Sequence, residues 1–260
     1  MNLPASDAAL HPSEPTARRL EGRLALVTGA GRGIGAEIAR RYAAAGARVA
    51  VLDRLADEGR TVADEIEGVS VVADLGDAAD ARRGTHEAIE QLGGLDILVN
   101  NAGILHFADI LDITAEDWDL TFAVNARSML LTTQVAVPAM KARGGGRIVN
   151  MGSMGGKLGA PGQAHYCASK AAVIEFTRVC AMELGPLAIN VNCICPGYVL
   201  TDCGAETRTP EMVAAWTARS PLGRLAEPGD VADMAVFLAS SESSYCTGQA
   251  FNVTGGMVMH

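Results

Sequence analysis

Tyr166 and Lys170 stand four residues apart in the stretch Gln163 to Lys170, Gln-Ala-His-Tyr-Cys-Ala-Ser-Lys, so on a helix both project from one face. A phenol beside an ammonium is a useful pair for moving protons. Unit charges about 4 Å apart at an effective dielectric of about 20 interact by roughly 4 kcal/mol. At about 1.36 kcal/mol per pKa unit, that is enough to draw a tyrosine from about 10 toward neutrality. Taken alone, the spacing is more often an ordinary surface pair, so its meaning depends on what else the chain supplies.

The second stretch with chemistry in it is Thr28-Gly29-Ala30-Gly31-Arg32-Gly33-Ile34-Gly35, whose key glycines run Gly-x-x-x-Gly-x-Gly. Small residues at a strand-to-helix turn let the backbone approach a pyrophosphate, and the helix N-terminus adds unpaired N–H groups and the positive end of a dipole. A tight turn would use the same residues. Asp53, 18 residues past Gly35 at the end of the next strand, favours the nucleotide reading. A carboxylate there accepts hydrogen bonds from adenosine ribose hydroxyls and repels a 2′-phosphate, which selects NAD over NADP. Arg32 argues the other way, because a cation in this turn can meet a 2′-phosphate; NADP is the weaker alternative.

Hydrophobic periodicity sets these residues on alternating strands and helices. Residues 24–28 form a short apolar strand, 34–45 a helix stopped by Gly46, and 48–52 a second strand ending at Asp53. A helix at 56–66, a strand at 69–72, a helix at 78–91 and a strand at 96–99 follow. Thr114 caps one long helix running to about 142, with Glu116 and Asp117 in its first turn. Next come a strand at 147–151, a loop at 152–162, and the helix that carries Tyr166 and Lys170 to about 184. A strand at 189–195 is stopped by Pro196 and Gly197, and 201–223 reads as a mobile insertion with a short helix near 210–218. A helix from Pro228 to about 239 and a strand at 250–253 close the chain. The pattern implies one α/β domain over residues 21–260, with parallel strands and helical crossovers, behind a flexible polar tail at 1–20.

The formal net charge of −9, with no run of Lys or Arg, argues against nucleic acid and anionic membranes as partners. No apolar stretch reaches the roughly 18 residues of a membrane span. Residues 1–20 hold Asp7, His11, Glu14, Arg18 and three prolines where a signal peptide needs an apolar core, so a cytoplasmic protein is expected. The six cysteines include no Cys-x-x-Cys and no histidine at zinc-like spacing, so they read as free thiols, and no metal is expected.

With these stretches in place, the chain resembles a classical short-chain dehydrogenase/reductase from about Glu21 to Met257. The family's glycine motif matches at 28–35, its Asn-Asn-Ala-Gly as Asn100-Asn101-Ala102-Gly103, and its Tyr-x-x-x-Lys as Tyr166 and Lys170. The resemblance implies a doubly wound Rossmann-type domain with a seven-stranded parallel sheet in the order 3-2-1-4-5-6-7. It implies a catalytic serine 13 residues before the tyrosine, here Ser153, and a catalytic asparagine, here Asn125. Hydride would move between nicotinamide C4 and a carbinol carbon while Tyr166 takes or gives the hydroxyl proton and Ser153 steadies the substrate oxygen. Lys170 would hold the nicotinamide ribose and lower the Tyr166 pKa, and Asn125 would position backbone and relay water. The implied cofactor residues are Gly29, Arg32, Gly33, Ile34, Gly35, Asp53, Arg54, Asp74, Leu75, Asn101, Ala102, Gly103, Tyr166, Lys170, Pro196, Gly197, Val199 and Thr201. A homotetramer packed through the long helices at 115–142 and 163–184 and the C-terminal strand is implied as well.

Substrate candidates are Gly155, Lys157, Leu158, His165, Cys195 and Tyr198, with the 201–223 insertion closing over them. Lys157 and His165 offer polar contacts, or else face solvent or cap the helix. The expected substrate is a small polar secondary alcohol or polyol, oxidised with NAD. A 3-oxoacyl thioester reductase is the alternative, but an acidic carrier protein would find no evident basic patch on this acidic chain. A dinucleotide-binding sensor without turnover would have no reason to keep Ser153, Tyr166 and Lys170 together.

Overall fold

The computed structural model describes residues 18–201 and 208–260. Seven strands, β1 (Leu24–Thr28), β2 (Arg48–Asp53), β3 (Val69–Val72), β4 (Ile97–Asn100), β5 (Gly146–Met151), β6 (Ile189–Pro196) and β7 (Ala250–Val253), form one sheet in the order β3-β2-β1-β4-β5-β6-β7. Every pairing is parallel, the outcome of joining short Val, Ile and Leu runs by helices rather than hairpins. The fold is the doubly wound Rossmann-type architecture.

Among the described residues eight α-helices flank it: α1 (Gly33–Ala44), α2 (Ala56–Glu65), α3 (Ala78–Leu92), α4 (Ala115–Phe122), α5 (Ser128–Ala142), α6 (Ala164–Leu184), α7 (Pro210–Thr217) and α8 (Pro228–Ala239). On one face, α1 and α8 bury Ile38, Tyr42, Val231 and Leu238 against Val27 and Val99. The Tyr42 hydroxyl donates to the Ala235 carbonyl at 3.0 Å and so ties the two helices together. On the other face, α3, α5 and α6 bury Leu92, Leu131, Met140 and Ala181 against Leu26, Leu98 and Ile148. Strand order reverses between β1 and β4, and a crevice opens there at the strand C-termini where open α/β sheets take ligands.

Two expectations change. The helix begun by Thr114 does not run unbroken to 142: Ala123–Arg127 opens into a π-helical turn between α4 and α5. Thr114 does cap, its Oγ1 accepting from Asp117 N at 3.0 Å. Such turns insert one residue into the ladder and re-aim a side chain, here that of Asn125. The tail ends earlier than residue 20, because Leu20 is buried, donates from its backbone to Ala45 O at 2.9 Å, and follows Arg19, which pairs with Glu242. Residues 1–17 of the expected tail at 1–20 and residues 202–207 of the insertion lie outside the described residues. The short helix of the insertion is α7, with Thr209 Oγ1 accepting from Met212 N and Pro210 at its first position. Among the described residues no helix is long and apolar enough to cross a membrane.

Candidate active site

The crevice floor is backbone against backbone. Thr28, at the end of β1, accepts at Oγ1 from the N–H groups of Asn101 and Ala102 at 3.0 and 3.1 Å. Asn101 returns the contact, donating from Nδ2 to the Thr28 and Gly29 carbonyls at 3.0 Å each. These bonds lock the β1 turn to the β4 turn, which forces closeness. A Cβ on Gly29 would lie 2.7 Å from Ala102 Cα, and one on Gly35 would lie 2.2 Å from the Gly29 carbonyl. Gly33, by contrast, has φ +59°, and a Cβ there would meet only the Thr201 side chain, its methyl at an ordinary 3.6 Å. Gly35→Ala should therefore displace the turn, costing on the order of 1–3 kcal/mol and weakening dinucleotide binding more than tenfold. Thermal melts and fluorescence titration check both effects.

On the far side, Asn125 is fully buried. The π turn aims its amide at the β4 loop, where Oδ1 accepts from Ile104 N at 2.8 Å and Nδ2 donates to Ile104 O at 3.0 Å. The second Nδ2 proton goes to Ser169 Oγ at 3.0 Å, and Ser169 Oγ–H in turn donates to the Tyr166 carbonyl at 2.7 Å. Asn125 thus links the β4 loop to the first turn of α6. Ser169 was not foreseen as part of the site. Its signal was local, since a serine three residues after the tyrosine in a helix can back-bond to that residue's carbonyl.

Ser153 follows β5 in extended conformation, and its Oγ accepts from Gly155 N at 3.0 Å. A Cβ on Gly155 would sit 3.4 Å from Ser153 Oγ, Tyr166 Cε1 and Cys167 Sγ alike, so this glycine fills the wedge between serine and tyrosine. Lys170 is buried, its Nζ 2.8 Å from the Met151 carbonyl and 5.7 Å from the Tyr166 ring centroid. Ser153, Tyr166, Lys170 and Asn125 therefore converge from β5, α6 and the π turn on the C-terminal end of β4.

The protonation balance differs from the sequence expectation. Burial pushes the Tyr166 phenol above its ordinary value, opposed by a hydrogen bond with the Ser153 hydroxyl. Lys170 does not draw it down. Burial lowers the lysine's own pKa to about 8, with the Cys193 and Cys195 sulfurs acting the other way. Removing water from both groups outweighs an ammonium at this separation that is already bonded to a carbonyl.

Comparison with known proteins fits this geometry. Residues 29–258 match the family model described as Enoyl-(Acyl carrier protein) reductase. An uncharacterised short-chain type dehydrogenase/reductase of Sinorhizobium fredii is 39% identical over 254 residues, covering 93% of this chain and 99% of the relative. The chain is a classical short-chain dehydrogenase/reductase. This dehydrogenase is also 41% identical over 247 residues to the galactitol 2-dehydrogenase (L-tagatose-forming) of Cereibacter sphaeroides, covering 93% and 97% of the two chains. It superposes with a TM-score of 0.87 and 42% identity on a Beutenbergia cavernae protein assigned as an NAD(P) dependent gluconate 5-dehydrogenase with NADP at low occupancy, covering 94% and 99%.

Short-chain dehydrogenases use a nicotinamide dinucleotide, and the residues present fit one. The first turn of α1 has no acidic residue and no side-chain cap, leaving its N–H groups for a pyrophosphate beside Gly33. Asp53 sits at the rim with Oδ2 accepting from Gly31 N at 2.8 Å and Oδ1 from Leu55 N at 3.0 Å. Arg32 and Arg54 are exposed beside it. Asp74 is exposed, folded onto Gly76 N, and Leu75 is buried. Gly197 packs on Thr254, Val199 bridges to Ala226, and the Thr201 methyl faces Gly33, so the segment after Pro196 returns toward the glycine turn.

Three substrate expectations are corrected. His165 is fully buried rather than exposed, because α6 places it one residue off the Tyr166 face. Lys157 Nζ is held by the Ala250 and His260 carbonyls at 2.9 and 3.3 Å, turned toward β7 and the C-terminus. Cys195 is buried too, its Sγ 3.9 Å from that of Cys193 beneath Gly152. Gly155, Leu158 and Tyr198 remain partly exposed, and the Tyr198 ring packs on Trp216 of α7 with centroids 5.4 Å apart.

Proposed function

We propose that the protein is an NAD-preferring dehydrogenase that interconverts a small polar secondary alcohol, of polyol or sugar-acid type, and its ketone. When bound, the dinucleotide supplies or accepts the hydride. The chain's own groups do the rest: Ser153 Oγ–H holds the substrate oxygen, Tyr166 exchanges its proton, and Lys170 and Asn125 position ribose and backbone. For the cofactor, the observation that carries the reading is Asp53, fixed by two backbone N–H groups at the rim of the glycine turn. A carboxylate so held suits paired ribose hydroxyls and repels a 2′-phosphate. The galactitol and gluconate dehydrogenase relatives support the substrate class. Assembly as a homotetramer, implied by the family resemblance, belongs to the same proposal, and light scattering tests it.

Asp53→Ala should raise the KM for NAD and shift the NADP-to-NAD ratio of kcat/KM by about 10- to 100-fold, the worth of a charged hydrogen bond. An unchanged ratio would overturn the NAD preference. The substrate class is tested by following NADH absorbance across polyols, sugar acids, apolar secondary alcohols and 3-oxoacyl thioesters. Selective turnover of a thioester, with polyols inert, would replace this reading by the acyl one.

A further inference from the structure

At the end of the sheet opposite Tyr166 lies a cavity of about 390 Å³ lined by five arginines, Arg18, Arg19, Arg23, Arg143 and Arg147, against only Glu21 and Asp96 as carboxylates. No run of basic residues marks it in the sequence; the fold gathers it from the segment before β1, the end of α5 and the start of β5. We propose that this cavity binds a small, doubly charged oxyanion of phosphate type.

The carboxylates it contains are already committed. Asp96 is buried, and its Oδ2 accepts from Leu24 N at 2.8 Å and from Arg143 Nη2 at 3.0 Å, while Oδ1 takes Arg143 Nε at 2.8 Å. Arg23 reaches Oδ1 only at 3.6 Å. Arg19 pairs with Glu242, and Arg18 with Glu21 at 2.9 Å. That leaves Arg147. Among the described residues its Nε is buried without a partner, and its Nη1 donates only to the Gly146 carbonyl at 3.1 Å. Burial and the neighbouring Arg23 both disfavour its charge.

Arg23 and Arg143 share the single carboxylate of Asp96, so among the described residues the Arg147 guanidinium is left without an anion, and a buried charge needs a partner. The fork of an arginine matches the paired oxygens of phosphate better than it matches a halide. The glycine-rich turn Gly144–Gly145–Gly146 at the cavity wall brings no side chain into the space. The volume falls within the range of small-ligand sites, large enough for inorganic phosphate or a small phosphate ester.

The test is calorimetric titration of inorganic phosphate into the full-length enzyme at constant ionic strength, with saturating NADH or NADPH so that the glycine turn is not scored. Saturable one-to-one binding is expected, weakened about tenfold or more in Arg147→Gln and in Arg23→Gln, as for loss of a charged hydrogen bond. The Arg23 side chain is mostly exposed, so that variant should fold even if loss of Arg147 disturbs β5. Absence of saturable binding to the parent enzyme, or parental affinity in either folded variant, overturns the proposal.

Discussion

Replacing Tyr166 by Phe should lower turnover by about a thousandfold, within the range that a positioned acid or base contributes, while leaving dinucleotide affinity nearly unchanged. The ring would still fill its place against Gly155, and the Tyr166 carbonyl would still accept from Ser169; the hydroxyl is lost, and with it the exchangeable proton and the hydrogen bond with Ser153. The parent enzyme should also show a characteristic pH profile. Because burial raises the phenol's pKa, the neutral form dominates through neutral pH. Alcohol oxidation, which needs the phenolate as base, should rise with pH into the alkaline range, and ketone reduction, which needs the phenol, should hold and then fall. Residual activity in the variant with the same alkaline rise would move the acid/base role to another group.

Lys170→Met should abolish efficient turnover yet cost little stability at pH 7. With a folded-state pKa of about 8 against an ordinary 10.5, the native state resists protonation that the unfolded chain accepts. Between those values the unfolded chain binds more protons, so stability attributable to this group rises with pH across that window. Below pH 8 both states are charged and the penalty stays constant. Integrated, it amounts to about 3 kcal/mol. Methionine removes this penalty and also the hydrogen bond to Met151 O, itself worth roughly 1.5–3 kcal/mol for a charged donor, so the two nearly cancel at pH 7. Urea unfolding at a series of pH values should show the parent gaining about 3 kcal/mol on the variant between pH 7 and 10.5. A difference that is flat with pH would show that Lys170 titrates normally.

Much of the sheet was readable from Leu24–Thr28, Val69–Val72 and Ala250–Val253, where short β-branched runs stand between glycines and helical periods. The positions of Ser153, Tyr166 and Lys170 at strand ends and on one helical face follow from that reading. Three features did not. The break at Ala123–Arg127 was hidden because Val124-Asn125-Ala126 fits an α-helical period, and only the contact with Ile104 requires the extra residue. His165 looked like a pocket residue because polarity suggests exposure, whereas one step along α6 carries it from the Tyr166 face into the interior. The arginine cavity was invisible because its members come from separate segments and no periodicity connects them.

The π turn at Ala123–Arg127 separates what the fold needs from what the site needs. It amounts to one residue more than a continuous helix would hold, so losing a single residue there would let α4 and α5 fuse without disturbing any strand. Each residue in a helix turns the next by about 100°, so the same deletion would swing the Asn125 amide away from Ile104 and Ser169. Natural chains of this architecture can shorten many surface connections freely, but at this one position a gap in the reading frame of the helix would leave a sound scaffold with its site disassembled.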